Sequence, residues 1–159
     1  MLEGSPRTEQ YKNSREKLLA LEDEGKYVFH GSPNNIELLE PRQGYNFNEI
    51  TGEQEKDGNP AVFATQYANL AIFRALINDK NIKEESSCRS GVDDAGLHFT
   101  ASRNLLDYAK TITAKIYVLD KNSFSNFDHI QGRSEQPVTP LEVIEVTAED
   151  LPENITVIE

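Results

Sequence analysis

Tyr27-Val28-Phe29-His30-Gly31-Ser32-Pro33 is the stretch on which the reading turns. Residues 26–29 (KYVF) are rich in strand formers, and they predict a strand that ends at His30-Gly31-Ser32-Pro33. Pro33, Asn34 and Asn35 then supply turn chemistry. A strand end holds side chains rigidly while they face open space. A histidine, a glycine and a hydroxyl at such a place suit a binding site, because glycine lets a ligand approach the backbone N–H and C=O closely. A planar amide needs that donor–acceptor pair. The other reading is a plain turn in which His30 only closes the strand.

Upstream, residues 8–25 (TEQYKNSREKLLALEDEG) predict a charged surface helix with Leu18, Leu19 and Leu21 as its apolar cluster and Gly25 as its stop. Residues 1–7 are expected to be a mobile terminus, with residues 8–159 forming a single domain. Downstream, Ile36, Leu38 and Leu39 suggest a short extended piece, and 42–60 reads as a long, aperiodic, glycine-bearing loop. AVFAT (61–65) predicts a buried strand. Residues 66–77 (QYANLAIFRALI) give the clearest helix, with Leu70, Phe73 and Ile77 on one face. Residues 79–94 and 121–136 read as polar loops, 96–100 as a strand, and 102–110 as a short helix. AKIYVLD (114–120), the stretch 138–146 interrupted by Pro140, and 154–158 predict further strands. This order lacks regular βαβ alternation. It points to an α+β fold with mainly antiparallel or mixed sheets and flanking helices.

Composition narrows the classes. The net charge of −11 argues against non-specific nucleic-acid binding, which relies on basic surface. No apolar run approaches the ~18 residues of a membrane span. No basic, then apolar, signal segment opens the chain, so none is expected. The single cysteine, Cys88, fits a reducing, cytoplasmic setting. His30, His98 and His129 form no spaced pair, so no metal site is expected. Phosphate-loop glycine patterns and the GxSxG elbow are absent from the sequence.

The order of HGS, a loop, Ala61-Val62-Phe63-Ala64-Thr65 and a helix from Gln66 resembles the ADP-ribosyltransferase fold. The likeness is to the poly(ADP-ribose) polymerase and diphtheria-toxin-like branch. In that family a strand ends in His-Gly-Thr/Ser and a second reads roughly Gly-Ile-Tyr-Phe-Ala. A helix then carries an aromatic, and a late strand begins with a catalytic glutamate. The resemblance covers residues 26–77 and 114–158, and HGS is its one near-literal motif. It implies two small sheets forming a cleft that binds NAD as substrate. His30 would hydrogen-bond the ribose beside nicotinamide, Gly31 would present its backbone to the carboxamide, and Ser32 would bind the adenosine-side ribose. Where the family has a strand tyrosine this chain has Val62, followed by Phe63. Phe73 would supply a ring wall, with Tyr67 as a nearby substitute; as a residue of an amphipathic helix Phe73 also reads as core. Arg42 would fork onto a pyrophosphate, or it is a plain surface arginine.

The resemblance also implies a carboxylate that steadies the positive ribose of the transition state. Glu142, in the strand Leu141-Glu142-Val143-Ile144-Glu145-Val146, and Glu135, just before Pro137-Val138, are the two candidates. The implied activity is NAD-dependent ADP-ribosyl transfer to a protein or nucleic-acid acceptor, with release of nicotinamide. The alternative is a non-catalytic module of the same fold that binds NAD, another nucleotide or a protein; the missing strand tyrosine supports it. An RNA 2′-phosphotransferase is a third reading. It asks for several arginines around a phosphate, and the seven here are scattered along the chain.

Overall fold

A computed structural model describes residues 11–43, 45–48, 50–56 and 59–159. The expected mobile terminus at 1–7 lies outside the described residues. The fold is α+β, with two small sheets, a separate two-stranded hairpin and three α-helices among those residues. Helix α1 (Ser14–Asp23) opens with Asn13, whose side chain accepts from the Glu16 N–H. It stops before Gly25, at φ 72°, a left-handed conformation that glycine adopts without strain.

The larger sheet has five strands and is antiparallel throughout. Its centre is β1 (Tyr27–Ser32), flanked by β4 (Val62–Thr65) on one side and β7 (Ala114–Asp120) on the other. The outer strands are β8 (Gln131–Ser134) next to β4 and β9 (Glu142–Val146) next to β7. β1 pairs with β7 along its whole length, from Tyr27↔Asp120 to Ser32↔Lys115. With β4 it pairs only at Phe29↔Thr65, so the sheet opens between β1 and β4 just past that point. The smaller sheet holds β5 (Cys88–Asp93), β6 (Gly96–Ser102) and β10 (Ile155–Ile158), with β10 parallel to β6.

Helix α2 (Ala68–Leu76) is packed between the two sheets. Leu70, Phe73 and Ile77 are buried, as helical spacing predicts, and so are Ala71, Ile72, Ala75 and Leu76. A helix apolar nearly all round must be covered on all sides; among its residues Arg74 is the exposed one. Helix α1 lies against α2, and α3 (Arg103–Ala109) lies against β6.

Five predicted stretches differ. β1 runs on through His30 and Gly31 to Ser32, because β7 supplies partners that far. The expected loop 42–60 contains a hairpin, β2 (Tyr45–Asn48) and β3 (Glu53–Lys56). The loops 79–94 and 121–136 contain β5 and β8. Both are edge strands of mostly polar residues, held by ladder hydrogen bonds to a neighbour more than by burial of their own side chains. β9 begins at Glu142, four residues later than expected; Val138 instead makes an isolated bridge to Leu39. Pro140, with no N–H to give a ladder, lies between them.

Candidate functional site

Strand alternation sorts the residues of β1 onto two faces. Phe29 and Gly31 face α2, within a core that includes Phe73, Ile116 and Val118. Val28, His30 and Ser32 face the other way. There Val28, Val62, Ala64, Tyr117 and Leu119 form a second core, covered by Leu39, Phe124 and Val138. At the edge of this second core lies a cleft of about 450 Å³. His30, Ser32, Asn34, Glu40, Arg42 and Phe63 are among its lining residues.

His30 Nδ1 lies 2.9 Å from the Phe63 carbonyl oxygen, which can only accept. Nδ1 therefore carries the proton, and Nε2 of the neutral ring is left as an acceptor. Burial lowers the His30 pKa from the ordinary 6.5; the hydrogen bond to Phe63 opposes this, and the nearby Arg42 charge adds to it. Ser32 Oγ accepts from the Asn34 N–H at 3.1 Å and keeps its own hydroxyl proton to donate. Arg42 reaches the cleft because its backbone makes a two-bond bridge with Ala61, at 3.1 and 2.9 Å. That bridge also closes the base of the β2–β3 hairpin.

Tyr117 is a site residue that the sequence did not single out. It is 1% exposed, and its register partner is His30. Its hydroxyl donates to the Asn34 carbonyl at 2.5 Å and accepts from the Ile36 N–H at 2.7 Å. It thus ties the segment lining the cleft to the sheet. The alternation within 114–120 was visible in the sequence, but the register that sets Tyr117 opposite His30 was not.

A smaller crevice of about 130 Å³ opens on the α2 side, where β1 and β4 part. Gly31, Phe63, Arg74 and Gln131 line it, and His30 borders both spaces. A Cβ on Gly31 would sit 2.3 Å from the Ala71 carbonyl oxygen and 2.8 Å from the Ala75 Cβ. The glycine is thus required by the close approach of α2, a demand the sequence reading did not include.

The other expected residues stand elsewhere. Phe73 is in the core between the sheets, with its ring centroid 5.0 Å from that of Phe99. It and His30 lie on opposite faces. Glu142 is on the edge strand β9, with β7 between it and β1, and is paired with Lys17 of α1. Glu135 is exposed and takes a 3.4 Å hydrogen bond from Asn59. Neither glutamate lines the cleft or the crevice; among the described residues the carboxylate that lines the cleft is Glu40, itself exposed. The expected juxtaposition of His30 with Glu142 or Glu135 is therefore not formed: β7 lies between β9 and β1, and β4 lies between β1 and β8, which Glu135 follows. A depression of about 510 Å³ near α3 is larger than the cleft, but its Arg103 and Glu159 are ion-paired with each other at 3.0 Å.

Among the described residues no three His, Cys, Asp or Glu side chains gather as metal ligands, and no helix is long and apolar enough to cross a membrane. No protein-family model matches this chain, and neither does any curated protein or solved structure at a significant level.

Proposed function

We propose that this chain is an ADP-ribosyltransferase-like domain that binds an NAD-type dinucleotide in the cleft beside His30. The observation that carries the reading is the convergence of His30, Ser32 and Arg42 on one cleft where the central sheet opens. Each offers what a dinucleotide requires. The neutral His30 ring has Nε2 to accept from a ribose hydroxyl, and Ser32 has a proton to donate. Arg42 brings a guanidinium fork, which suits a pyrophosphate. The cleft volume of about 450 Å³ is within the usual range for small-molecule sites.

Transfer of ADP-ribose to a protein or nucleic-acid acceptor is the second reading, and Glu40 favours it. Breaking the bond between ribose C1′ and nicotinamide leaves positive charge on the ribose. A carboxylate beside the ribose stabilises that charge; the acceptor nucleophile then bonds to C1′ and gives up its proton to solvent. Calorimetric titration with NAD, followed by chromatographic assay of free nicotinamide, tests both readings. The expected result is saturable NAD binding that weakens at least tenfold in Arg42→Gln. Nicotinamide release that falls in Glu40→Gln supports transfer, and binding without release supports the module alone. An absence of NAD binding overturns the proposal.

A further inference from the structure

The crevice where β1 and β4 part is chemically one-sided. Phe29, Phe63, Ala64 and Ala71 give it apolar walls. No acidic side chain is among its lining residues, and with the His30 ring neutral Arg74 is the charged one. The Thr65 hydroxyl, also in the lining, is already spent: it donates to the Ile130 carbonyl at 2.5 Å and accepts from the Tyr67 N–H at 3.2 Å.

Arg74 uses two of the five N–H donors of a guanidinium. Nη1 donates to Gln131 Oε1 at 3.2 Å, and Nε donates to Ser90 Oγ at 3.4 Å. Both bonds are long and go to neutral oxygens, and among the described residues Arg74 makes no salt bridge. Gln131 lines the crevice too, so the first of these bonds places the guanidinium beside a second lining residue. With its amide oxygen given to Arg74, Gln131 has an amide nitrogen left, and that group only donates. Asp128 is the carboxylate whose field reaches Arg74, but it is not part of the lining. Its Oδ1 is engaged by the N–H groups of Ile130 and Gln131, at 2.7 and 2.8 Å.

We infer that the crevice is a binding site for a small carboxylic acid, with the carboxylate on Arg74 and Gln131 and an apolar body against Phe29 and Phe63. A carboxylate is planar and takes a guanidinium by two parallel hydrogen bonds. Spare donors at one place and apolar walls around them are the usual make-up of a small-molecule site. The volume of about 130 Å³ is close to the roughly 150 Å³ of an apolar cavity that holds benzene, so the body has about the size of one ring. The site stands on the crevice alone and does not rest on the dinucleotide reading of the cleft.

The test is calorimetric titration at low ionic strength, without NAD, using benzoate, its neutral isostere benzamide, and acetate. Benzoate is expected to bind saturably, and acetate, which lacks the ring, at least tenfold more weakly. Arg74→Gln should weaken benzoate at least tenfold and leave benzamide unchanged. Gln131→Leu should weaken benzoate at least threefold. If Arg74→Gln fails to fold in a thermal melt, Gln131→Leu carries the comparison. Arg42→Gln, which alters the cleft, should leave benzoate affinity as it is. The inference is overturned if benzoate does not bind, if neither crevice variant weakens it, or if acetate binds as tightly. Loss of benzoate binding in Arg42→Gln would place the acid in the cleft and overturn it as well. Displacement of benzoate by an equal concentration of inorganic phosphate would show a general oxyanion site and overturn the assignment to a carboxylate. Since NAD enters none of these titrations, their failure is distinct from a failure of NAD binding.

Discussion

The two faces of the five-stranded sheet are built from the same strands and are put to different uses. On one face Phe29, Ile116 and Val118 meet α2, and β1 needs a glycine at position 31 so that the helix can come close. On the other, Val28, Tyr117 and Leu119 lie under the segments that carry Leu39, Phe124 and Val138, and His30 and Ser32 stand at the margin of that cover. The rigid helix packs closely and leaves a crevice of about 130 Å³ where β1 and β4 part. Irregular chain leaves a cleft and lines it with polar groups. The packed face holds β1 in place, and the loop-covered face makes its polar residues available.

The largest expected effect breaks the packed face. Gly31→Ala sets a methyl group against helix backbone, and the helix can yield only by moving off the sheet. We expect a loss of about 3 kcal/mol in urea unfolding, toward the upper end of overpacking costs. A wild-type denaturation midpoint would show that the helix approach is not tight.

Tyr117→Phe acts on the other face. It leaves the Asn34 carbonyl and the Ile36 N–H without their partner, at a cost of about 1–3 kcal/mol. NAD affinity should fall as well, because the cleft segment is no longer tied to the sheet. Loss of stability with unchanged NAD affinity would separate Tyr117 from the site.

Acid should act through His30. Its pKa is lower in the folded chain than the ordinary 6.5, so its contribution to stability is fully present above about that pH. It is lost as pH falls from there toward the folded value, because the unfolded chain takes up the proton first. Melts across this window should show a slope that His30→Gln removes. An identical slope in the variant would assign the pH dependence to other groups.

The smallest effect is expected at the sheet's far edge. Glu142→Gln breaks a partly exposed pair with Lys17, worth about 0–1 kcal/mol. NAD binding and nicotinamide release should remain unchanged, since β7 separates β9 from β1. A large fall in release would return Glu142 to the role its strand pattern suggested.

Elements with a strong apolar pattern were legible in the sequence. Helix α2 and strands β1, β4 and β7 lie close to where periodicity and strand propensity put them, because their side chains drive their own burial. β5 and β8 were missed for the opposite reason. Gln131-Gly132-Arg133-Ser134 has no apolar side chain, and it becomes a strand because β4 offers a free edge. Of the expected site residues, His30, Ser32, Arg42 and Phe63 line one cleft. Phe73 and Glu142 are where their apolar and edge-strand patterns equally allowed, away from it.

The sequence by itself determined the fold class, the central strand with its histidine and serine, and the helix that must be buried. These follow from local propensity and side-chain period, which act over a few residues. Only the tertiary structure decided which face each residue of β1 meets, that Tyr117 stands opposite His30, and that Arg42 shares a cleft with His30 and Ser32. Those outcomes depend on strand order and register, and a one-residue slip would turn every side chain of a strand to the other face.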